Sequence, residues 1–316
     1  MQCTLFITGN YKRAEEITYF PGGASFFEQV VREISVARYE IFLQLYALEN
    51  DDTGRMLLKA LEEAAGRGVN VFVLLDAFGS ASMRKAAKSW IRKGIHIRFF
   101  SPLVLGKLRT GRRLHHKLLV IDGKRAYTGS MNFSDKYHGS SQHAPWLDIG
   151  FWLSGNICLD IRERCKRLMA YRGEIPDLPP SNGQLGKNYP ARLTQNDWFQ
   201  HKRNIYFNLR EAVRFAEKEI IIVSSYFIPS NRLIRQLNQA RSRGVEVLLY
   251  VQGLSDVPLA RNASRYWYRA LFRKGVKIFE FPTRVLHGKM LMMDRRWVSA
   301  GSFNFNHLSN YTSIES

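Results

Sequence analysis

The sequence predicts an α/β protein of two similar halves, each a mainly parallel mixed β-sheet flanked by helices, with a site at the interface between them. Three observations predict it. Helical and strand periods alternate along the 316 residues. The order of elements repeats past the middle of the chain. A run of polar residues recurs at the same point of each repeat, 172 positions apart, from His115 to His287.

In the first half, Ala24 to Ala37 sets Phe26, Phe27, Val30, Val31 and Ile34 at helical spacing. Glu40 to Leu48 reads as a buried strand. Asp51 to Arg67 reads as a helix, with Thr53 as its expected cap. VNVFVLLD, Val69 to Asp76, is a β-branched strand. Ser80 to Lys93 reads as a helix and Ile95 to Phe100 as a short strand. This βαβαβ order implies a mainly parallel sheet with helices on both faces.

The second half repeats the order. Asn208 to Lys218 is helical and EIIIVSSYF a strand. Asn231 to Arg243 is a helix and VEVLLYV a strand. Leu259 to Arg273 is a helix and VKIFEF a strand. AAGRGVNVFVLLD and ARSRGVEVLLYVQ hold matching places, so an internal duplication is the simplest account. Gly173 to Pro190 is dense in Pro, Gly and Asn, the chemistry of a linker. The expected division is 1–172, a linker over 173–200, and 201–316.

Composition narrows the function classes. Hydrophobic residues at 45% and charged residues at 23% fit a globular chain with a sizeable core. Forty-seven Lys and Arg against 27 Asp and Glu leave +20. Such a surface attracts polyanions, either nucleic acid or an anionic membrane face. Cys3, Cys158 and Cys165 are too few and too scattered for a disulfide framework or a zinc site. MQCTLFITGN does not read as a signal peptide, and IFLQLYAL and EIIIVSSYFI are too short or too polar to span a bilayer. The reading is a soluble or peripheral protein.

The two polar runs share one spacing: HxK, four residues, Asp, six residues, GSxN. The first holds His115, Lys117, Asp122, Gly129, Ser130 and Asn132. The second holds His287, Lys289, Asp294, Gly301, Ser302 and Asn304. On a strand, residues two apart share a face, so His and Lys would point one way, as would Ser and Asn. Asp-Gly at 122–123 signals a hairpin that returns Ser and Asn to the His-Lys pair. Lysine supplies compact positive charge, Ser and Asn supply neutral donors, and histidine serves as nucleophile or proton carrier. Two copies brought together would place a histidine on each side of a phosphorus. No carboxylate cluster accompanies the motifs, so neither metal nor cofactor is expected. Asp122 and Asp294 are expected to be structural, facing away from the histidines. So is His116, on the far side of its strand.

This paired pattern resembles the duplicated HKD motif of the phospholipase D superfamily, over nearly the whole chain from about Phe20 to Glu315. Within it the chain resembles the bacterial cardiolipin synthases of the branch lacking N-terminal transmembrane helices. The phrases that carry this lie outside the motifs: DDTGRMLLKALEEAAGRGVNVFVLLDAFGS, SSYFIP, and LSDVPLARNASRYWYRALFRKGVKIFEF leading into VLHGK. The resemblance implies that His115 attacks phosphorus to form a phosphohistidine and that His287 is the acid and base. It implies that Asp148 and Glu315 each orient a histidine of the opposite half. It implies a phosphatidyl donor, phosphatidylglycerol as acceptor, and a peripheral place on the anionic bacterial cytoplasmic membrane. GKLRTGRR, Gly106 to Arg113, is a candidate membrane contact. Trp146, Tyr266, Trp267 and Tyr268 are candidates for an interface or for the core.

Two departures stand out. FNHLSNYTSIES follows the second motif where the resemblance implies a Pro-Arg-Ser type segment. The chain stops one residue after Glu315, where the resemblance implies a further strand and helix, so the second sheet is expected to lack closing elements. Three rival readings remain: a hydrolytic phospholipase D, a nuclease of the same superfamily served by the same net charge, and a non-catalytic scaffold.

Overall fold

The computed structural model describes residues 11–101, 112–171, 174–175, 177–178, 188–197, 202–306, 309 and 313–316. Cys3, most of GKLRTGRR, much of 173–187, and 307–308 and 310–312 lie outside the described residues.

The chain opens with β1 (Lys12–Ala14), β2 (Glu16–Phe20), α1 (Ala24–Ser35), β3 (Glu40–Leu45), α2 (Asp52–Gly66) and β4 (Asn70–Asp76). A single 3-10 turn at Ala81–Met83 leads into α3 (Arg84–Arg92). Then come β5 (His96–Phe100), β6 (Arg113–Leu114), β7 (Leu118–Ile121), β8 (Arg125–Gly129), α4 (Asp135–His138), β9 (Gly150–Ser154) and α5 (Ile157–Met169). Seven strands form the first sheet, in the order β2-β9-β8-β7-β3-β4-β5. Its parallel part is the β3-β4-β5 run that the alternating periods predict. The motif hairpin β7-β8 and strand β9 extend it antiparallel, because a tight turn joins only antiparallel neighbours. The sheet is therefore mixed, and antiparallel pairs outnumber parallel ones.

Strand β3 is buried at all six positions, because helices cover both faces. On one side lie α1, α2 and α3, with Phe26, Phe27, Val30, Leu57, Leu61 and Trp90 in one core. On the other lies α5, with Ile157, Ile161 and Cys165 against Phe42, Phe72 and Leu118. Cys158 and Cys165 are buried free thiols. The cap of α2 is Asp51, whose carboxylate accepts the Gly54 N–H at 2.9 Å. Thr53 already lies inside the helix, too late to cap it, and its hydroxyl donates to Asp135 at 2.7 Å.

Next come β10 (Tyr189–Ala191), β11 (Asn196–Asp197), β12 (Lys202–Arg203), α6 (Asn204–Phe215), β13 (Glu219–Ser224), α7 (Asn231–Ser242), β14 (Glu246–Leu254) and α8 (Pro258–Phe272). The chain continues through β15 (Lys277–Val285), β16 (Met290–Met293), β17 (Trp297–Ala300) and β18 (Ser313–Glu315). The second sheet runs β15-β14-β13-β16-β17, with β13-β14-β15 parallel and the motif hairpin β16-β17 antiparallel. Helices α6, α7 and α8 supply the core on one of its faces. Within the stretch read as linker, β10 pairs with β1 and β11 pairs with β12 and β18.

Among the described residues, two backbone crossings join the halves. Strand β18 runs parallel to β6, with Ile314 opposite Leu114. Reciprocally, Leu147 bridges Leu286. Each crossing lies directly beside a motif histidine. Among the described residues, no helix is long and apolar enough to cross a membrane.

Candidate active site

The hairpins come first, because they set everything else. Asp122 and Gly123 both have positive φ, 50° and 60°, which makes a tight hairpin turn. In the second copy Asp294 and Arg295 take φ 52° and 56°. Each aspartate clamps the start of the next strand of the sheet. Asp122 accepts the N–H groups of Arg38, Tyr39 and Glu40 at 2.8–2.9 Å. Asp294 accepts those of Glu217, Lys218 and Glu219 at 2.8–3.0 Å. Both carboxylates are thus committed to backbone at the turn end of the hairpin.

The HxK triplets lie not on strands but in the short segments just before β7 and β16. They leave the ladder because the opposite half takes their backbone. His115 and His116 donate N–H to the Ile314 carbonyl at 2.9 and 3.0 Å. His287 and Gly288 donate to the Leu147 carbonyl at 2.7 and 3.2 Å. The next residue after each carbonyl is a carboxylate. Glu315 Oε2 lies 2.9 Å from His115 Nδ1, and Asp148 Oδ2 lies 2.7 Å from His287 Nδ1. Each carboxylate therefore meets the histidine of the other motif and holds its ring by Nδ1, leaving Nε2 for chemistry.

The GSxN ends support those carboxylates. The spacing alone points Ser130 and Ser302 at a phosphate. Instead their hydroxyls donate to Asp148 and Glu315, because a buried carboxylate must collect donors. Their N–H groups donate to the carbonyls of Ile149 and Ser316 at 2.9 and 3.0 Å. That close approach requires glycine. A Cβ on Gly129 would stand 2.5 Å from the Ile149 oxygen, and one on Gly301 2.3 Å from the Ser316 oxygen. Asn132 accepts the Ala47 N–H at 3.3 Å and donates to the Tyr137 hydroxyl at 3.1 Å. Asn304 accepts the Ser225 hydroxyl at 3.0 Å. His116 turns away from the pair, with Nε2 2.9 Å from Gln44 Oε1.

Both lysines are buried, and each Nζ donates to the carbonyl of the histidine two residues before it, at 2.5 Å. Burial pulls Lys117 down to about 7 and Lys289 down to about 8, against the opposing pull of Glu315 and Asp148. Burial also lowers His115, with Glu315 opposing and Lys117 and Lys289 adding to the fall. Burial and Lys289 lower His287, against Asp148. Burial works to raise Asp148, and the charge of His287 with its hydrogen bonds outweighs it, so its carboxyl sits below the usual range. Each histidine feels the lysine of the other motif, so the two motifs make one electrostatic site.

Three aromatic residues complete the walls. The Tyr137 and Trp146 rings lie 5.3 and 5.8 Å from the His287 ring, and the Tyr137 hydroxyl is 3.5 Å from its Nε2. Tyr46 lies 5.1 Å from the His115 ring and 5.5 Å from Lys117 Nζ. Tyr46 and Tyr137 are site residues that sequence reasoning missed. The available signal was a break in the repeat: Tyr137 stands five residues after Asn132, and Ser309 stands five after Asn304.

The model of the family described as "Cardiolipin synthase, PLD-like domain" matches residues 30–144 and 209–316, and so contains both motifs. The chain belongs to that family. Cardiolipin synthase B of Salmonella typhi is 30% identical over 321 residues, covering 96% of this chain and 76% of that protein. Cardiolipin synthase 1 of Staphylococcus aureus (strain COL) is 30% identical over 319 residues, covering 96% of this chain and 63% of that protein. The crystal structure of phosphatidylserine synthase from Haemophilus influenzae Rd KW20 superposes with a TM-score of 0.70 at 14% identity, over 96% of this chain and 82% of that one. At that identity the likeness is one of fold.

Proposed function

We propose that the chain makes cardiolipin by moving a phosphatidyl group from one phospholipid to phosphatidylglycerol through a phosphohistidine, at an anionic membrane surface. The observation that carries this reading is the crossed pairing: two histidines, each held through Nδ1 by a carboxylate from beside the other. The family supplies the lipid class.

In the first step Nε2 of His115 forms a bond to phosphorus while the bond to the leaving alcohol breaks. His287 gives its Nε2 proton to the departing oxygen. In the second step His287 takes the proton from the hydroxyl of the acceptor. That oxygen bonds phosphorus, the P–N bond breaks, and His115 is restored. His115 suits the nucleophile because burial favours its neutral form and 19% of its side chain stays exposed. A bound phosphodiester carries the negative charge that brings His287 and both lysines back to their protonated forms. The lysines then neutralise charge on the phosphoryl oxygens. With the serine hydroxyls held by carboxylates, the lysines carry most of that task.

The test is lipid mass spectrometry of the protein and of His115→Ala with phosphatidylglycerol and phosphatidylethanolamine vesicles. Cardiolipin formed by the parent alone is the expected result. Phosphatidic acid in its place would make the protein a hydrolase. No lipid change, together with cleavage of single-stranded DNA, would replace the reading with a nuclease.

A further inference from the structure

We infer that the outer face of α8 and the loop leading into it seat the protein on an anionic bilayer, with the mouth of the histidine site at the lipid surface. This rests on the phosphatidyl-transfer reading for its biological sense, and on independent observations for its location.

Among the described residues the three most exposed large hydrophobic side chains all lie on α8: Leu259 at 81%, Tyr266 at 78% and Phe272 at 74%. Scattered apolar exposure is ordinary, but three on one helix are a pattern. The inward face of the helix is settled by Ser264 and Leu271, which are buried, and by Trp267 and Tyr268, which pack on the core. The exposed side chains therefore share the outward face, and Arg269 and Arg273 lie among them, beside Arg265, which pairs with Glu280 at 2.7–2.8 Å. Residues 255–274, the loop included, carry five Arg or Lys and one acid, Asp256. Apolar and aromatic side chains alternating with cations match a bilayer interface, where anions lie above hydrocarbon.

The N-terminal end of the face adjoins the site. Helix α8 starts at the C-terminal end of β14, the edge of the sheet from which β15 leads to His287. Leu254, 46% exposed, pairs with Val285, two residues before that histidine. The Tyr226 hydroxyl donates to Asp256 at 2.7 Å, and Arg261 donates to the Gly253 carbonyl at 3.1 Å, fixing the loop. On the other flank Phe78 follows β4, is 60% exposed, and sits 5.4 Å under the Arg113 guanidinium, two residues before His115. The two loops bracket the histidines. A phosphate backbone offers nothing to Leu259 or Phe272, and a second copy at +20 would be repelled.

The test uses the full chain and sedimentation with phosphatidylglycerol–phosphatidylcholine vesicles, against phosphatidylcholine alone. The triple variant Leu259→Ser, Tyr266→Ser, Phe272→Ser should bind the anionic vesicles on the order of 10-fold more weakly. It should turn over a short-chain phosphatidylglycerol, dissolved as monomer, as the parent does. Should that variant fail to fold, Leu259→Trp keeps the question answerable. Its emission should shift to the blue on anionic vesicles, while that of Val36→Trp, at the opposite edge of the first sheet, should not. Equal shifts, or unchanged vesicle affinity of a folded triple variant, would overturn the proposal. So would a parent dimer that the triple variant dissociates without losing vesicle affinity, or a parent that binds single-stranded DNA and ignores vesicles. Vesicle binding through this face without any cardiolipin formed would leave the surface standing and remove the transfer reading. Turnover of dissolved lipid with no vesicle binding would do the reverse.

Discussion

His115 and His287 each donate a backbone N–H to a carbonyl of the opposite half and meet the same kind of carboxylate, yet 19% of the first side chain is exposed and 9% of the second. What repeats is the frame: the aspartate clamp, the glycine that permits close approach, the serine on the carboxylate, the lysine on the histidine carbonyl. What does not repeat is the wall. His287 faces Tyr137 and Trp146, while His115 faces Tyr46. The sheets differ in the same sense. Strand β3 is buried on both faces, while β13 alternates between buried and half-buried residues. Duplication kept the parts that hold two imidazoles in register and let their surroundings diverge. On the proposed reading, that divergence serves two chemically distinct roles.

The strongest way to break the comparison is to separate the roles. His115→Asn and His287→Asn should each lower cardiolipin formation by about 10³-fold or more. A phosphatidyl nitrophenyl ester needs no proton on its leaving group. With that donor His287→Asn should recover the first burst of nitrophenolate to within about 10-fold of the parent, while His115→Asn stays silent. Stopped-flow absorbance reads this directly. Equal recovery by both variants would make the two histidines interchangeable.

The lysines give the next effect, on stability. An unfolded lysine keeps its proton up to about 10.4. The folded chain releases it from Lys117 near about 7 and from Lys289 near about 8. Between those values and about 10.4 the unfolded state binds more protons, so stability rises with pH across that window and is lost as pH falls toward about 7. Lys117→Met should abolish turnover, raise stability near neutral pH and flatten that rise. Lys289→Met should do the same less strongly. Below pH 7 the Lys117→Met variant should be the more stable of the two. Denaturant titrations at pH 6 and pH 9 check both sign and order, and a Lys117→Met protein less stable than its parent would reverse the argument.

These contrasts show which parts of the molecule were legible in the sequence. The βαβαβ runs were, because a buried strand such as β3 and an amphipathic helix such as α1 write their periods into neighbouring residues. The motif hairpins were, through Asp-Gly and fixed spacing. The pairing of Glu315 with His115 spans 200 positions and came from the family resemblance, since no local period encodes it. Spacing also misdirected Ser130, because a hydroxyl goes to the strongest acceptor nearby, and Asp148 comes from 18 residues on. Tyr137 left only a broken repeat, and the basic run GKLRTGRR before His115 falls mostly outside the described residues.

The smallest effect tests the finest difference between the two stations. The Tyr137 hydroxyl takes a hydrogen bond from Asn132, which leaves its own proton free to point at His287 Nε2. Burial, and then the charge of Asp148, hold that phenol far above its usual pKa, so it keeps the proton at any working pH. A donor aimed at Nε2 favours the neutral imidazole. Tyr137→Phe should therefore raise the pKa of His287 by less than about one unit and lower kcat by about 2–10-fold, the worth of one neutral hydrogen bond. The limb of the pH–rate profile that belongs to His287 should move to higher pH. Tyr46 touches His115 and Lys117 with its ring alone, so Tyr46→Phe should leave the profile where it is. Matching shifts from both variants would mean that the walls, like the frame, are equivalent, and that the order of the two histidines is set by the substrate.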